Sequence, residues 1–346
     1  MARVRLGDVA REYKETIKDS SSLPIVGLEH LTPGEISLEH WDEGVENSFS
    51  KGFKKGHMLF GRRRAYLRKA AVAPFDGVCS GDITVIEAIP EKMDPELLPF
   101  IIQNDLLFDF AVGNSAGSLS PRVKWESLRN YEFNLPERAK QSQMVELLKA
   151  AHETRRSYKA LIQATDDLVK SQFIEMFADT PKGKLSDIAT VTMGQSPDGK
   201  TYNTDGDGMC FYQGKTEFRD LYIGEATTWT TAPSRIAEAN DVLMSVRAPV
   251  GSTNIATQTC CLGRGLAGIR PIEGKSTTMF ILYSMRSIED DIANMGVGST
   301  FKAINKDVVY NLPIPIATIE LQNKFVALAE QSDKSKFVVS NRNLSR

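Results

Sequence analysis

Apolar positions along this chain follow two different spacings, and each spacing occurs twice. Short apolar runs typical of β-strands, separated by Gly and Pro, occupy about the first 130 residues and return after residue 180. From Arg138 to Phe177 the chain has no Pro and no Gly, and apolar residues recur at every third or fourth position. This heptad pattern predicts one amphipathic helix of about 60 Å, at roughly 1.5 Å per residue.

A second helical pattern follows Pro315, with Phe325, Leu328 and Phe337 on its apolar seam. A single long amphipathic helix cannot bury its own seam, and the second helix can supply the missing partner. We therefore predict an α+β protein in which two similar mixed α/β domains are separated by long helices that form an antiparallel coiled coil. The predicted divisions are a first domain at 1–136, a spacer helix at 137–180, a second domain at 181–314 and a shortened second spacer helix at 315–346.

The two globular patterns share sequence at both of their ends. Residues 6–10 read LGDVA and residues 185–189 read LSDIA, a shift of 179 residues. The same shift relates the Tyr, Pro and Gln of residues 131–143 to those of residues 310–322. A unit of this size is a domain plus a connector, so the pattern predicts a duplication with two similar binding surfaces on one chain.

The composition is that of an ordinary globular protein, with 41% hydrophobic and 25% charged residues among 346 and a net charge of −2. This length suits two domains. The sequence has no apolar run of about 18 residues and no apolar signal-peptide core, so we expect a cytoplasmic protein that makes no membrane contact. The four cysteines form no CxxC pair and lie near no histidine in sequence, which favours reduced thiols over a zinc site.

One loop matches a nucleotide-binding pattern in its letters alone. Residues 194–201 read GQSPDGKT, which fits GxxxxGK[ST]. A phosphate-binding loop of this kind must leave a buried strand and begin a helix, but the following YNTDGDGMCFYQG predicts no helix. We therefore expect no nucleotide site and interpret Gln195, Ser196, Lys200 and Thr201 as part of a turn-rich loop that faces solvent or a ligand.

The strongest charge feature is the stretch from Lys51 to Lys69, which carries eight Lys or Arg and no acidic residue. It reads as strand, turn and strand, with the triplet 62–64 at the turn. One interpretation is a solvated charged hairpin. The other is contact with nucleic-acid phosphates together with an arginine fork on guanine. Alignment of VLMSVRAP with MLFGRRRAY places Arg247 beside the triplet, which favours the second interpretation.

A second recurring element lies just before each helical pattern. It spans residues 113–128 in the first half and 296–309 in the second, and each copy has Gly-Ser followed by Lys or Arg. Free backbone N–H groups and hydroxyls suit phosphate contact, although a tight turn before a strand explains the same letters. Motifs for metalloproteases, serine hydrolases, dinucleotide binding and amino-methyl transfer are absent from the sequence, so we predict a non-catalytic chain.

Strings in the same order in both halves carry a resemblance to one known family. They are VRLGDVA, GVCSGDITV and NYEFNLP in the first half, and KLSDIATVTMGQSP, DVLMSVRAPVGSTNIA, GSTFKAINKDVVYNLPIP and LQNKFVALAEQSDKSKFVV in the second. Over essentially its whole length the chain resembles the specificity subunits of type I restriction–modification systems. The resemblance implies two target recognition domains, each reading one half of a split DNA site in the major groove.

The resemblance also implies partners that do the chemistry. The two helical regions would space the recognition domains and dock two methyltransferase (modification) subunits, and a motor–nuclease (restriction) subunit could join them. S-adenosylmethionine, ATP and magnesium would belong to those subunits, so no cofactor and no metal is expected in this chain. The candidate contacts with double-stranded DNA are Lys54, Lys55, Arg62, Arg63, Arg64, Arg68, Ser118, Arg122, Gln195, Ser196, Lys200, Thr201, Lys215, Arg247, Ser299 and Lys302. The candidate partner contacts are Met144, Leu147, Leu148 and Phe325.

Two alternatives stay open at this level. The second helical pattern has 31 residues after Pro315, against about 43 between Pro136 and Asp179 in the first, as in a truncated or phase-variable copy. In that case the start of the first helix, near Met144 and Leu147, would lack a partner and promote self-association. The other alternative is an ATP-dependent enzyme that uses the loop at 194–201.

Overall fold

The computed structural model describes residues 2–18, 22–296 and 303–341, with side chains up to residue 332. The chain divides into two compact units, residues 1–156 and 157–346. The strands of each unit start with the same succession of a strand, a one-turn helix and a second strand, at Ala2–Glu12 in the first unit and at Lys182–Met193 in the second. In both one-turn helices an aspartate at the third position accepts a hydrogen bond from the backbone N–H before the helix, Asp8 from Arg5 at 2.9 Å and Asp187 from Lys184 at 2.8 Å.

The first unit contains, in chain order, β1 (Ala2–Arg5), α1 (Leu6–Val9), β2 (Ala10–Glu12), β3 (Ile25–Val26), β4 (Lys51–Phe53), β5 (Met58–Gly61), β6 (Ala70–Val72), β7 (Gly77–Cys79), β8 (Ile83–Ala88), α2 (Leu98–Ile102), α3 (Asp105–Gly113), α4 (Trp125–Leu128), β9 (Glu132–Leu135) and α5 (Arg138–Met176), which continues into the second unit.

The second unit contains β10 (Lys182–Lys184), α6 (Leu185–Ile188), β11 (Ala189–Met193), β12 (Tyr202–Asn203), β13 (Met209–Tyr212), β14 (Trp229–Thr230), β15 (Ile236–Ala237), β16 (Val242–Ser245), β17 (Thr253–Ile255), β18 (Cys260–Leu262), β19 (Leu266–Pro271), α7 (Thr278–Ser287), α8 (Glu289–Met295), α9 (Lys306–Tyr310), β20 (Pro313–Pro315) and α10 (Ile319–Asn341).

The sheets of the two units have matching topology. A four-stranded sheet has the order β2-β8-β5-β6 in the first unit and β11-β19-β16-β17 in the second. A second sheet follows in each unit, with three strands in the order β3-β7-β4 in the first and five in the order β12-β14-β13-β18-β15 in the second. Each of these sheets contains one parallel pair, β3 with β7 and β13 with β18. A short two-stranded pair, β1 with β9 and β10 with β20, closes each unit near its helix. The predicted duplication is therefore visible in the strand order.

Equivalent hydrogen bonds show that the duplication does not keep one offset. The Leu6 N–H donates to the Tyr131 carbonyl at 2.8 Å, and the Leu185 N–H donates to the Leu312 carbonyl at 3.0 Å. Tyr131 thus corresponds to Leu312, a shift of 181 residues, and not to Tyr310 as the sequence pattern predicted. The beginnings of the two units keep the shift of 179, and loops of different length between the strands account for the change.

A buried glutamine joins the start of each helix to its own unit. Gln141 accepts from the Asp94 N–H at 2.8 Å and donates to the Pro136 carbonyl at 2.8 Å. Gln322 accepts from the Thr277 N–H at 3.1 Å and donates to the carbonyls of Ala317 and Lys275, both at 2.9 Å. These are equivalent residues at the shift of 181, so the predicted match of Gln143 with Gln322 is wrong by two positions.

The two helical predictions are confirmed as α5, with 39 residues, and α10, with 23. Phe325 near the start of α10 packs on Phe173 and Phe177 near the end of α5, at ring distances of 5.1 and 5.9 Å. Contact between the start of one helix and the end of the other is what an antiparallel pair requires. The predicted fold class, two mixed α/β domains separated by long helices in an antiparallel coiled coil, is confirmed. Among the described helices, none is long and apolar enough to cross a membrane.

Candidate nucleic-acid interface

Arginines gather where the central sheet of the first unit ends. β5 ends at Gly61 opposite the first residue of β8, Ile83, so Arg62 leaves the sheet beside Asp82. The Arg62 N–H donates to the Asp82 carbonyl at 2.9 Å, and the Arg62 carbonyl accepts from the Val123 N–H at 3.0 Å. Residues 121–123 therefore run beside the triplet as an added strand. We call Arg62, Arg63, Arg64 and Arg122, with Asp82, the first basic edge.

Asp82 is the acidic centre of the first basic edge. Its carboxylate accepts from Arg122 Nε at 2.7 Å and Nη2 at 3.3 Å, and from Arg63 Nη1 at 3.3 Å. Arg63 Nε also donates to the Ser120 hydroxyl at 3.3 Å. Hydrogen bonds from Arg122 hold the pKa of the Asp82 carboxyl below its usual range, and the carboxylate in turn raises the pKa of Arg122. Asp82 and Arg122 thus favour their charged forms together.

The backbone beyond the triplet adopts an unusual conformation. Arg64 and Arg68 have φ of 53° and 52°, in the left-handed region that non-glycine residues rarely occupy. They flank a 3₁₀ turn at Ala65–Leu67 on which Tyr66 and Leu67 are exposed. Such strained positions cluster at functional sites, which supports this end of the unit as the candidate interface.

The remaining basic residues of the 51–69 stretch do not join this edge. Lys54 lies at the other end of β5 and pairs with Glu15 and Asp76, both at 3.5 Å. Lys55 is exposed beside it. Arg68 turns to α3, where it pairs with Asp105 and with Asp109 at 3.0 Å. Acidic residues from distant parts of the sequence thus pair with part of the positive charge of this stretch.

The second unit places Arg247 at the position of Arg63. Arg247 follows β16 as Arg63 follows β5, and each forms a one-residue bridge with the added segment, Arg247 with Ala303 and Arg63 with Arg122. The Val246 N–H donates to the Gly265 carbonyl at 2.9 Å, as Arg62 donates to Asp82. The predicted alignment of Arg247 with the triplet is confirmed. Gly265 therefore occupies the position of Asp82, and Ala303 the position of Arg122.

Other polar residues of the second unit lie at the same end of its sheets. Lys215 follows β13 and donates from Nζ to the Ser252 hydroxyl at 3.3 Å, at the start of β17. The Arg264 N–H, just before β19, donates to the Ser196 hydroxyl at 3.3 Å. We call Lys215, Arg247 and Arg264 the second basic edge. All three are exposed, and none has an acidic side chain within ion-pair distance among the described residues.

Packing and hydrogen bonds within the second unit explain Gly194 and Thr201 in the loop at 194–201. A Cβ on Gly194 would lie 2.2 Å from the Gly263 carbonyl oxygen, so only glycine fits there. Gly199–Thr201 forms a 3₁₀ turn that leads into strand β12, which confirms that no helix begins there. The Thr201 hydroxyl bonds to the Asp198 carbonyl at 2.7 Å and to Thr230 at 2.8 Å. Gln195 and Lys200 are exposed.

Of the other predicted DNA contacts, one lies within the described residues and two do not. Ser118 is exposed in the loop that leads to Arg122. Ser299 and Lys302 lie outside the described residues. The sequence interpretation missed Asp82, Ser120 and Arg264. Ser120 had a weak signal, since it lies within the recurring element at 113–128, whereas Arg264 lies in no motif. Asp82 had no signal because its charge is opposite to that expected of a nucleic-acid contact.

The candidate partner contacts require correction. Phe325 is completely buried among the aromatic rings of the second unit, so it cannot touch a partner subunit and is a core residue. Met144 and Leu148 are half-buried against the core of the first unit, beside the buried Val145. The first unit thus covers Met144 and Leu148 at the start of α5, so the predicted uncovered seam is wrong for these two residues. Only Leu147, with 69% of its surface exposed, remains available on this face among the four candidates.

The cysteines are free thiols, and all four are buried. Burial raises the pKa of the Cys79 thiol to about 12, which keeps it protonated. Among the described residues, no group of three or more His, Cys, Asp or Glu side chains is arranged to hold a metal ion. The candidate interface consists of arginine, lysine and hydroxyl groups together with the carboxylate of Asp82.

Comparison with known proteins identifies the family. Residues 179–341 match the model of the type I restriction modification DNA specificity domain. A putative type I restriction enzyme MjaX specificity subunit of Methanocaldococcus jannaschii is 25% identical over 352 residues, covering 92% of this chain and 81% of that protein. A solved chain from work on complex assembly and conformational transition of the type I R-M system is 30% identical, with a TM-score of 0.56 and coverage of 99% of this chain and 93% of that chain.

A further solved structure supports the fold alone. The S subunit of a type-I restriction-modification system from M. genitalium is 11% identical, with a TM-score of 0.57 over 99% of this chain and 92% of that one. The matches cover nearly the whole chain, and the duplicated units, the long helix and the matched basic edges are consistent with them. The chain therefore belongs to the family of type I restriction–modification specificity subunits.

Proposed function

We propose that this chain reads a split, asymmetric DNA site with its two units and holds the methyltransferase subunits that modify it. The observation that carries this proposal is the pair of basic edges at equivalent strand ends of two duplicated units. One chain thereby presents two similar but non-identical surfaces for double-stranded DNA, separated by a helix of 39 residues.

The chemistry of the edges suits DNA. Arginine and lysine neutralise phosphates, and the planar guanidinium can donate two parallel hydrogen bonds to O6 and N7 of guanine in the major groove. Hydroxyl groups and free backbone N–H groups beside them add phosphate contacts that fix the register. Arg63 and Arg247, at matching positions, are our first candidates for contact with the two half-sites.

The two edges differ in sequence, so they cannot read the same bases except by accident. We expect a target of two different half-sites whose centres lie roughly 10 bp apart, about one turn of DNA, so that both units meet the same face. A continuous or palindromic target would contradict this.

The catalytic steps belong to other subunits in this proposal. The chain would be a non-catalytic recognition subunit, and the partners, two methyltransferase subunits with a motor–nuclease subunit as an optional addition, would bind S-adenosylmethionine, ATP and magnesium. The exposed Leu147 on α5 is our candidate contact with a methyltransferase subunit. Chromosomal DNA as substrate implies that the complex works in the cytoplasm.

Single-molecule methylation sequencing of the host tests the proposal directly. Genomic DNA is compared between cells that carry the gene, cells that lack it and cells complemented with it. We expect one split asymmetric methylation motif that disappears on deletion and returns on complementation. An unchanged methylation pattern, with the methyltransferase subunit expressed, would refute the function.

A further inference from the structure

The two basic edges share one arginine but differ in what surrounds it. In the first unit Arg63 is accompanied by Arg122 and by the carboxylate of Asp82, which accepts hydrogen bonds from both. In the second unit Ala303 and Gly265 occupy the positions of Arg122 and Asp82. The two units can therefore be compared directly. In the first, two arginines share the carboxylate of Asp82, whereas in the second Arg247 has glycine at the position of that carboxylate.

The hydrogen bonds of Asp82 fix the orientation of both guanidinium groups. Arg122 donates from Nε and Nη2 to the two carboxylate oxygens, so its plane is set by a two-point contact. Arg63 is held at two atoms, with Nη1 on Asp82 and Nε on Ser120. The arginine side chains remain 39% and 42% exposed. The two guanidinium groups are thus held in a fixed orientation while part of each side chain stays accessible, as two-point recognition of a base edge requires.

A carboxylate in this place is unfavourable for a surface that only attracts phosphates. Negative charge repels the DNA backbone and removes positive charge from the edge, so Asp82 should weaken sequence-independent binding. Its presence at the centre of the edge is better explained by the geometry that it imposes on its neighbours.

We propose that Asp82 is a positioning residue for base readout: it orients Arg63 and Arg122 toward guanine in the half-site bound by the first unit. This inference rests on the proposed function. It adds that the two half-sites are read by different means, since Arg247 in the second unit lacks the equivalent of Asp82.

The test uses the complex assembled from the full chain and its methyltransferase subunit. Methylation rates are measured on a library of duplexes in which each base pair of the wild-type motif is substituted in turn, and DNA affinity is measured against salt concentration. The variant is Asp82→Asn. The matched control is Asp76→Asn, which removes the same charge from the same unit but at the other end of β5, where Asp76 pairs with Lys54 at 3.5 Å.

We expect Asp82→Asn to lower discrimination about tenfold or more at one or two G·C pairs of one half-site, because an arginine that is no longer oriented reads guanine poorly. The other half-site should keep wild-type discrimination. Affinity for non-specific DNA should equal or exceed that of the wild type. Asp76→Asn should leave discrimination at both half-sites unchanged.

Arg122→Ala is a second variant, chosen because Asp82→Asn could impair folding. Alanine already stands at the equivalent position of the second unit, Ala303, so we expect the fold to accept it. It should relax the same half-site as Asp82→Asn. The double variant should be no worse than the more affected single variant, because both changes disturb the same arginine–carboxylate arrangement.

Three results would overturn the inference. They are unchanged discrimination in Asp82→Asn, a uniform gain in affinity for all sequences equal to that of Asp76→Asn, and an equal loss at both half-sites with a lowered melting temperature. Failure of the proposed function is distinct from all of these, since the wild-type complex would then methylate no split motif at all.

Discussion

At the scale of single residues, neighbours decide what a basic side chain can do. Arg63, Arg68 and Lys54 belong to one basic stretch of sequence but have different surroundings. Arg63 stands at the candidate interface, Arg68 is held by Asp105 and Asp109 on α3, and Lys54 pairs with acidic residues at the other end of β5. Positive charge that is adjacent in sequence is thus divided among separate places in the fold.

The first prediction compares the contribution to DNA binding of the basic residues at the two ends of β5. Replacement of Arg62, Arg63 and Arg64 by Ala should weaken DNA binding by the assembled complex, and the salt dependence should fall by roughly one unit for each phosphate that the variant no longer neutralises. Replacement of Lys54 and Lys55 by Ala is the control within the same basic stretch and should change neither quantity. DNA affinity is measured for both variants at several salt concentrations. Equal effects of the arginine and the lysine replacements would contradict the placement of the interface.

Part of this interface could be predicted from the sequence and part could not. Arg247 was aligned correctly with the triplet because the apolar pattern of β5 and β16 is similar. Asp82 could not be chosen, because its role comes from an antiparallel register that places it beside Arg62. A search for basic residues alone excludes the acidic group that orients them.

At the scale of elements, the heptad spacing predicted both helices but not how they are attached. Gln141 and Gln322 are polar and lie outside the apolar seam, so the pattern assigns them to solvent. The structure buries both, with 2% and 0% exposure, because each satisfies a backbone N–H of its own unit. Differences in loop length moved the true repeat by two residues, which a fixed offset could not reveal.

The glutamine contacts provide the second prediction. Gln141→Ala and Gln322→Ala should each lower the free energy of unfolding by about 1–3 kcal/mol, because each leaves a partly buried backbone N–H without its acceptor. Gln143→Ala is the matched control, since Gln143 is exposed two residues away. Urea unfolding of the full chain measures all three. A Gln143→Ala effect as large as that of Gln141→Ala would show that the buried hydrogen bonds are unimportant.

The third prediction concerns the aromatic contact between α5 and α10. Phe325 is completely buried against Phe173, Phe177 and Tyr283. Phe325→Ala should destabilise the second unit by about 3–5 kcal/mol through reduced burial and the cavity left behind. The exposed neighbour Asn323, changed to Ala, should have little effect. Hydrogen exchange would show faster exchange in the second unit with the first unchanged, and a uniform change in both would argue against this assignment.

At the scale of the whole molecule, the two units share a fold but differ in their histidine content. All four histidines of the chain lie in residues 1–156. Burial lowers the pKa of His57 despite an opposing effect of Glu87, and burial also lowers the pKa of His152. The His57 ring nitrogen Nδ1 accepts from the Lys54 N–H at 3.1 Å, a bond that requires the neutral ring. Both side chains therefore favour the uncharged form in the folded state.

The last prediction follows from the sign of these shifts. A histidine whose pKa is lower in the folded than in the unfolded state stabilises the fold fully above the unfolded value, roughly 6.5, and loses that contribution as the pH falls toward the folded value. The first unit should therefore lose stability as the pH falls below about 6.5, while histidine titration leaves the second unchanged. Hydrogen exchange resolved by peptide at several pH values measures each unit separately. His57→Asn with His152→Asn should flatten the response of the first unit, and an equal acid sensitivity of both units would show that other groups govern it.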